Sequence, residues 1–207
     1  MKEEGKSVSG PLPFFGTIYY RWKRQTDWNK GKGSVIMFGK GELVVYGRNG
    51  ICEIVDITTM EIEGVPKDKL YYVLVPMKEK GRRIFTPVEN KKIIIRRILT
   101  CEQALALIDE IPAIEELWIC NDKLREATYK ECMDSCDCRE WIKIIKTMYL
   151  RNKERASQGK KITVTDEKYL HFAENSLYSE LSLALHMKEA EMEDYITKRI
   201  DELRSLN

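Results

Sequence analysis

Hydrophobic and polar positions change rhythm twice along the 207-residue chain. Residues 1–36 show no period and mix Gly, Pro, Tyr and Trp. From Met37 onward, short apolar runs alternate with turn residues. Residues 43–46 predict a strand, and Gly47-Arg48-Asn49-Gly50 predicts a turn, because Asn and Gly accept positive φ. Residues 51–58 and 60–63 predict two more strands, the second broken by Gly64-Val65-Pro66. Residues 70–75 are rich in aromatic and β-branched side chains and predict a strong strand. Gly81 turns the chain and residues 83–86 return, with Pro87 ending that strand or lying on a sheet edge. Five short strands at this spacing predict a small, strongly bent barrel. About sixty residues make a marginal core. Such a barrel presents edges and loops to partners rather than a catalytic pocket.

After Thr100 the period becomes helical. Ala104, Leu105, Leu107 and Ile108 predict a short helix that Pro112 interrupts. Asn121 or Asp122 is placed to cap a helix reaching about residue 135. Asp137 is placed to cap the next, with Glu140 completing a capping box. Trp141, Ile144, Ile145, Met148 and Tyr149 form its apolar stripe. Arg139, Lys143, Lys146, Arg151, Lys153 and Arg155 form its basic face, which on charge alone reads as a solvated surface. Thr165 is expected to cap a third long helix, with Asp166 and Glu167 suiting its N-terminal dipole. Leu170, Ala173, Leu177, Leu181 and Ala184 face its core, and an acidic helix closes the chain over residues 188–206. The predicted fold class is α+β in two domains, a five-stranded barrel over 37–98 and an all-helical domain over 99–207.

With 43% apolar and 33% charged residues, the chain is neither a disordered polar polymer nor a disulfide miniprotein. The longest apolar runs are strand-sized, which predicts no membrane association. Met1 leads into Lys, Glu and Gly rather than a secretory leader. The net charge of +2 hides a division. Residues 1–36 and 37–98 each carry +4, and 99–207 carries −6. Within the last part, 122–161 carries +4 and 162–207 carries −5. A protein that holds nucleic acid alone usually shows a strong basic excess. This one needs something else to keep it there.

Six cysteines without a leader suggest reduced thiols in a cytoplasm. Cys132, Cys136 and Cys138 cluster, and with Cys120 a four-thiolate zinc site is conceivable. The C-x3-C-x-C spacing and the lack of a nearby His favour free thiols, so neither metal nor cofactor is expected. No phosphate-loop, dinucleotide, zinc-protease or nucleophile-elbow motif is present. His171 and His186 lie too far apart to share one helical turn, and the acid pairs sit on polar faces. An enzyme is therefore not expected.

Two features remain. Residues 1–36 read as a disordered or non-native extension, with Met37 as the true start. Lys32-Gly33-Ser34 can be encoded by a purine-rich run that would serve as a ribosome-binding site. No function is assigned to Arg21, Trp22, Lys23, Arg24 or Trp28. Trp118 follows Glu115-Glu116-Leu117 and precedes Lys123, Arg125 and Lys130. A Trp beside cations can stack on an unpaired base or wedge into a base step. Spacing alone favours a core anchor.

The segment 37–46 (MFGKGELVVY), then Asn49-Gly50, Tyr71-Tyr72-Val73-Leu74 and Thr86-Pro87-Val88-Glu89-Asn90, resembles the CarD/CdnL family of bacterial regulators that bind RNA polymerase. Residues 177–185 followed by Lys188-Glu189 resemble that family's last helices. The resemblance covers about 37–207. It implies a Tudor-like first domain, similar to the polymerase-binding module of transcription-repair coupling factors, that docks on the polymerase β subunit. It also implies a helical domain that contacts promoter DNA at the upstream edge of the minus-ten element. There a Trp wedges into the minor groove and holds the melted bubble open.

Trp118 matches that Trp, and Lys123, Arg151 and Lys168 fall near basic positions the family uses toward DNA; Arg125, shortly after Trp118, is counted with them as a DNA-facing cation. Met60 and Phe85 stand where some members place polymerase-facing cations, and Arg82 and Arg83, beside Ile84, can replace them. Cys120 and Asn121 stand where many relatives have Arg. The implied protein is a monomer that stabilises the open complex without sequence specificity, in the cytoplasm and on the nucleoid through polymerase. The alternatives are an adaptor that docks a protein partner without DNA, and a small-barrel RNA or ribosome factor.

Overall fold

The computed structural model describes residues 38–60, 67–79, 81–119 and 121–205. The expectation for residues 1–36, most of the strand expected at 60–63, and Cys120 lie outside them. The β-branched runs form β1 (Leu43–Tyr46), β2 (Ile51–Thr59), β3 (Leu70–Pro76), β4 (Ile84–Pro87) and β5 (Ile95–Arg97). All pairings are antiparallel and the order is β4-β3-β2-β1-β5. The fifth strand of the sheet is β5, which pairs Val44 with Arg97 and Tyr46 with Ile95. Met60 has left the ladder. Pro87 lies on the edge strand β4, where its missing N–H costs nothing. The β2–β3 register shifts between Ile54 and Asp56, a bulge of the kind that bends a sheet. Gly47 has φ +50, and a Cβ there would lie 2.6 Å from Ile93 Cγ2. Its N–H donates to the Ile94 carbonyl at 3.0 Å, so this turn presses directly on the chain leading into β5.

Five helices follow: α1 (Cys101–Glu110), α2 (Arg125–Asp134), α3 (Cys138–Ser157), α4 (Val164–Leu185) and α5 (Met192–Ser205). Thr100 and Gln103 form a complete capping box for α1, which the sequence reading did not single out. Pro112 sits in a 3-10 turn, Ile111–Ala113, that ends it. Another 3-10 turn, Asp122–Leu124, precedes α2, so that helix starts later than expected, and Asn121 Oδ1 accepts from the Lys123 N–H instead. Asp137 caps α3 through the Arg139 N–H. Glu140 bonds Lys143 and Cys132 rather than turning back to the cap, so the expected box does not form. Thr163, not Thr165, caps α4: its hydroxyl accepts from the Asp166 N–H. A 3-10 turn, Glu189–Glu191, precedes α5 and delays the start expected at 188.

Trp141, Ile144 and Met148 of α3 are buried as the stripe requires, but Tyr149 is exposed and Ile142 takes the inward position. Ala173, Leu177, Leu181 and Ala184 of α4 are buried as expected. Residues from Lys40 onward make one compact unit. Val45 and Ile51 of the sheet share an apolar cluster with Ile108, Tyr129, Trp141 and Leu181 of the helices.

Candidate nucleic-acid and polymerase interface

Trp118 is 89% exposed, which excludes the core-anchor reading. It lies in an irregular segment between the Ile111–Ala113 turn and α2. Helix α3 braces that segment. The Leu117 N–H donates to Thr147 Oγ1 at 2.8 Å, and the Thr147 hydroxyl donates to the Lys143 carbonyl at 2.7 Å. Lys146 Nζ donates to the carbonyls of Ile111 at 3.1 Å and Pro112 at 3.4 Å, and also to that of Ile114. These carbonyls lie where the helical turns end, where acceptors lack intrahelical partners and a cation is favoured. Arg139 adds a bond to Glu110 at 2.6 Å. Ile114 is buried, so one end of the segment is pinned while Trp118, four residues on, points away from the core.

The basic face of α3 is therefore largely engaged by partners within the chain. Lys146 caps the turn, Arg139 and Lys143 pair with carboxylates, and Arg155 Nε donates to the Lys161 carbonyl at 2.8 Å. Arg151 and Arg125 converge on Asp166, at 3.9 and 3.6 Å. The Asp166 side chain is fully buried in the first turn of α4, and Arg125 is only 12% exposed. Lys123, in the turn before α2, is exposed. Lys168 is exposed and lies 5.5 Å from the Tyr169 ring centroid, beside the Tyr129–Tyr169 pair. Of the four cations singled out, the fold thus gathers Arg125 and Arg151 around Asp166, with Lys168 two residues further along the same helix. Lys123 stays on the surface. The sequence reading missed Lys146 and Thr147 as braces and Asp166 as the anion between two arginines. A carboxylate in a first helical turn was visible, but its partners lie 41 and 15 residues away.

On the sheet, Arg82, Arg83, Ile84 and Phe85 run into and along the edge strand β4. Phe85 opposes Val73 and is exposed. Arg82 bonds Glu79 at 2.8 Å and Asn49 at 3.2 Å, while Arg83 is exposed. Met60 follows β2, two strands inward and toward the Pro87 end of the register. The β4 edge and Trp118 thus sit on different parts of the compact unit, one on the sheet and one on the helical layer.

Cys52, Cys132, Cys136 and Cys138 are buried free thiols, and Cys101 is exposed. Burial pushes Cys52 up to about 11 and Cys132 up to about 12, the second helped by Glu140. Among the described residues no His, Cys, Asp and Glu group could hold a metal ion, and no helix is long and apolar enough to cross a membrane.

Two family models match consecutive parts of the chain: the CarD-like/TRCF RID domain over residues 38–99 and the CarD C-terminal domain over residues 97–197. The chain belongs to the CarD/CdnL family. It is an RNA polymerase-interacting transcription factor of a non-catalytic regulator family. The two matches overlap at residues 97–99, from the last residue of β5 into the connection to α1. Comparison with curated protein sequences finds no match.

Proposed function

We propose that this CarD/CdnL protein docks on the polymerase β subunit through the β4 edge and stabilises the promoter open complex. Trp118 wedges into the minor groove at the upstream edge of the melted DNA. The observation that carries the reading is Trp118 itself: a large aromatic side chain, 89% exposed, on a segment braced by three hydrogen bonds from Lys146 and one to Thr147. An exposed Trp on a loose loop would lose much of its stacking energy to ordering. A braced one has been ordered in advance.

The charge division suits a tethered factor. Held on polymerase, a weak basic surface acts at high effective concentration and needs little affinity of its own. Lys123 and Lys168 supply exposed cations toward phosphate, Arg151 is partly exposed beside Asp166, and Arg125, nearly buried there, adds positive charge behind the surface. Wedging into closed duplex costs a few kcal/mol of unstacking. The cost is smaller where strands are already parting, so the wedge favours the open complex by its differential affinity. Base readout is not needed. The protein acts as a monomer in the cytoplasm, on the nucleoid, with the 37–98 part serving polymerase and the 99–207 part serving DNA.

The test is decay of polymerase–promoter complexes after addition of a competitor, with and without the full-length protein. Slower decay is expected, together with no retention of the same DNA when polymerase is omitted. Unchanged decay despite binding to the β lobe would leave an adaptor role instead. In calorimetric titrations against that lobe, reversing the charges of Arg82 and Arg83 weakens binding. Unchanged affinity would move the docking surface off the β4 edge.

A further inference from the structure

Among the described residues, three ion pairs cross from the sheet layer to the helices. Arg48–Asp134 and Lys78–Glu189 are exposed, and exposed pairs are weak and screened by salt. The third is different. Glu180 of α4 is fully buried and Arg96 of β5 is 26% exposed. The guanidinium meets both carboxylate oxygens, at 2.6 and 2.8 Å, in the bidentate geometry that fixes orientation as well as distance. Its Nε donates to the Cys136 carbonyl at 2.6 Å, and its Cζ lies 5.7 Å from the Trp141 ring centroid. Glu180 Oε1 also accepts from the Leu99 N–H at 2.9 Å, where the chain passes from sheet to helix. Cys138 Sγ donates to Oε2 at 3.3 Å. One pair thereby ties together β5, the sheet-to-helix connection, the turn before α3, the start of α3 and the C-terminal part of α4.

We propose that Arg96 and Glu180 form a positioning joint that fixes the sheet's docking edge relative to Trp118. The inference rests on the reading of Trp118 given above. On the sheet side the route runs from the docking edge β4 through β3, β2 and β1 to β5; on the helical side it is short. Cys138 and Trp141, which touch the pair, lie on α3. Lys146 and Thr147, which brace the Trp118 segment, lie on the same helix. Thr147 is nine residues beyond Cys138, about 13 Å along the helix axis. A helix of this length transmits a change of angle at its start to the segment braced near its middle. A factor held on polymerase at one end and on DNA at the other cannot adjust both contacts independently, so angular freedom at the joint removes the wedge from its step. A buried ion pair seldom adds stability over a well-packed apolar pair, but its directional bonds select one arrangement.

The experiment is a coupling cycle on open-complex lifetime with full-length protein, using Arg96→Lys and Trp118→Ala singly and together. Arg96→Lys keeps the charge against Glu180 and loses the fork, so the fold is retained. It should shorten the lifetime at least about threefold, with affinity for the polymerase β lobe unchanged. In the Trp118→Ala background it should have no further effect, because there is no wedge left to misplace. A second variant, Arg96→Met with Glu180→Leu, removes both charges together; it also leaves the Leu99 N–H without its acceptor, so it is expected to stay folded, melt several degrees below wild type and show the same shortened lifetime. Wild-type lifetime in either folded variant, or additive effects with Trp118→Ala, would overturn the joint. If Trp118→Ala itself leaves the lifetime unchanged, the reading of the wedge falls and the joint with it. A shortened lifetime for Trp118→Ala beside a normal one for the joint variants overturns the joint alone.

Discussion

The Leu117 N–H donates to Thr147 Oγ1 at 2.8 Å, across 30 residues of sequence. Thr147 is buried and passes the bond on to the Lys143 carbonyl. The residue after Leu117 is Trp118. An inward hydroxyl on α3 therefore fixes the backbone from which the exposed indole projects, and the Lys146 ammonium pins the same segment three to six residues earlier.

Thr147→Val keeps the volume and removes the acceptor. A partly buried N–H left without a partner costs about 1–3 kcal/mol. The melting temperature should fall by several degrees, at about 2–4 °C per kcal/mol for a chain of this size. Open-complex lifetime should fall as well, because the segment is freed. Differential scanning calorimetry with complex-decay assays on one preparation checks both. A stable variant with normal lifetime would remove Thr147 from the brace.

The cations divide into two kinds. Arg125 is nearly buried against Asp166, and breaking such a pair leaves a carboxylate in the interior, at about 3 kcal/mol or more. Arg125→Ala should lower the unfolding midpoint markedly. Lys123→Ala should change stability by no more than about 0.5 kcal/mol. If Lys123 meets a phosphate, its loss reduces the salt slope of promoter-complex stability by about one. Urea titrations and lifetimes at several salt concentrations separate the two. Equal unfolding costs would show that the Asp166 cluster is not structural.

Alkaline pH should destabilise the protein through its thiols. Burial pushes the Cys52 and Cys132 thiols of the folded chain up from 9.0 to about 11 and about 12. Cys136 and Cys138 are raised as well, also chiefly by burial. Above pH 9 the unfolded chain releases these protons and the folded chain retains them, so the folded state binds more protons and stability falls as pH rises. Their contribution is intact below pH 9 and is lost as pH climbs through 11 to 12. Melting curves between pH 7.5 and 10.5 should decline, and less steeply for Cys132→Ala. The same slope in both would place the effect elsewhere.

The strands were readable where turn chemistry and β-branched runs coincide. Residues 43–46 and 70–75 match β1 and β3 closely, and Pro87 could only sit on an edge. β5 was less legible because Ile95–Arg97 is short and its partner β1 lies about fifty residues earlier. Helix stripes are legible down to Trp141, but periodicity alone puts Tyr149 inward, and packing gives that role to Ile142. Thr165 was a plausible cap, yet Thr163 captured the Asp166 N–H because the chain turns two residues sooner. The exposure of Trp118 was not decidable from spacing, since a Trp near cations fits both a core and a surface. The joint of Arg96 and Glu180 left no local trace at a separation of 84 residues. Side-chain pairs at such distances depend on the assembled fold and not on any window of sequence.

On the reading proposed above, an exposed, braced Trp118 holds the promoter bubble open. The most direct measurement is the dissociation rate of polymerase–promoter open complexes formed with the Trp118→Ala protein, taken beside its melting temperature. A stacking contact of roughly 1–3 kcal/mol predicts a lifetime about 5- to 150-fold shorter, unchanged binding to the β lobe, and a melting temperature close to wild type. Wild-type lifetime in a folded Trp118→Ala protein would contradict the account. So would a loss of about 3–5 kcal/mol of folding stability, the cost expected of a buried Trp.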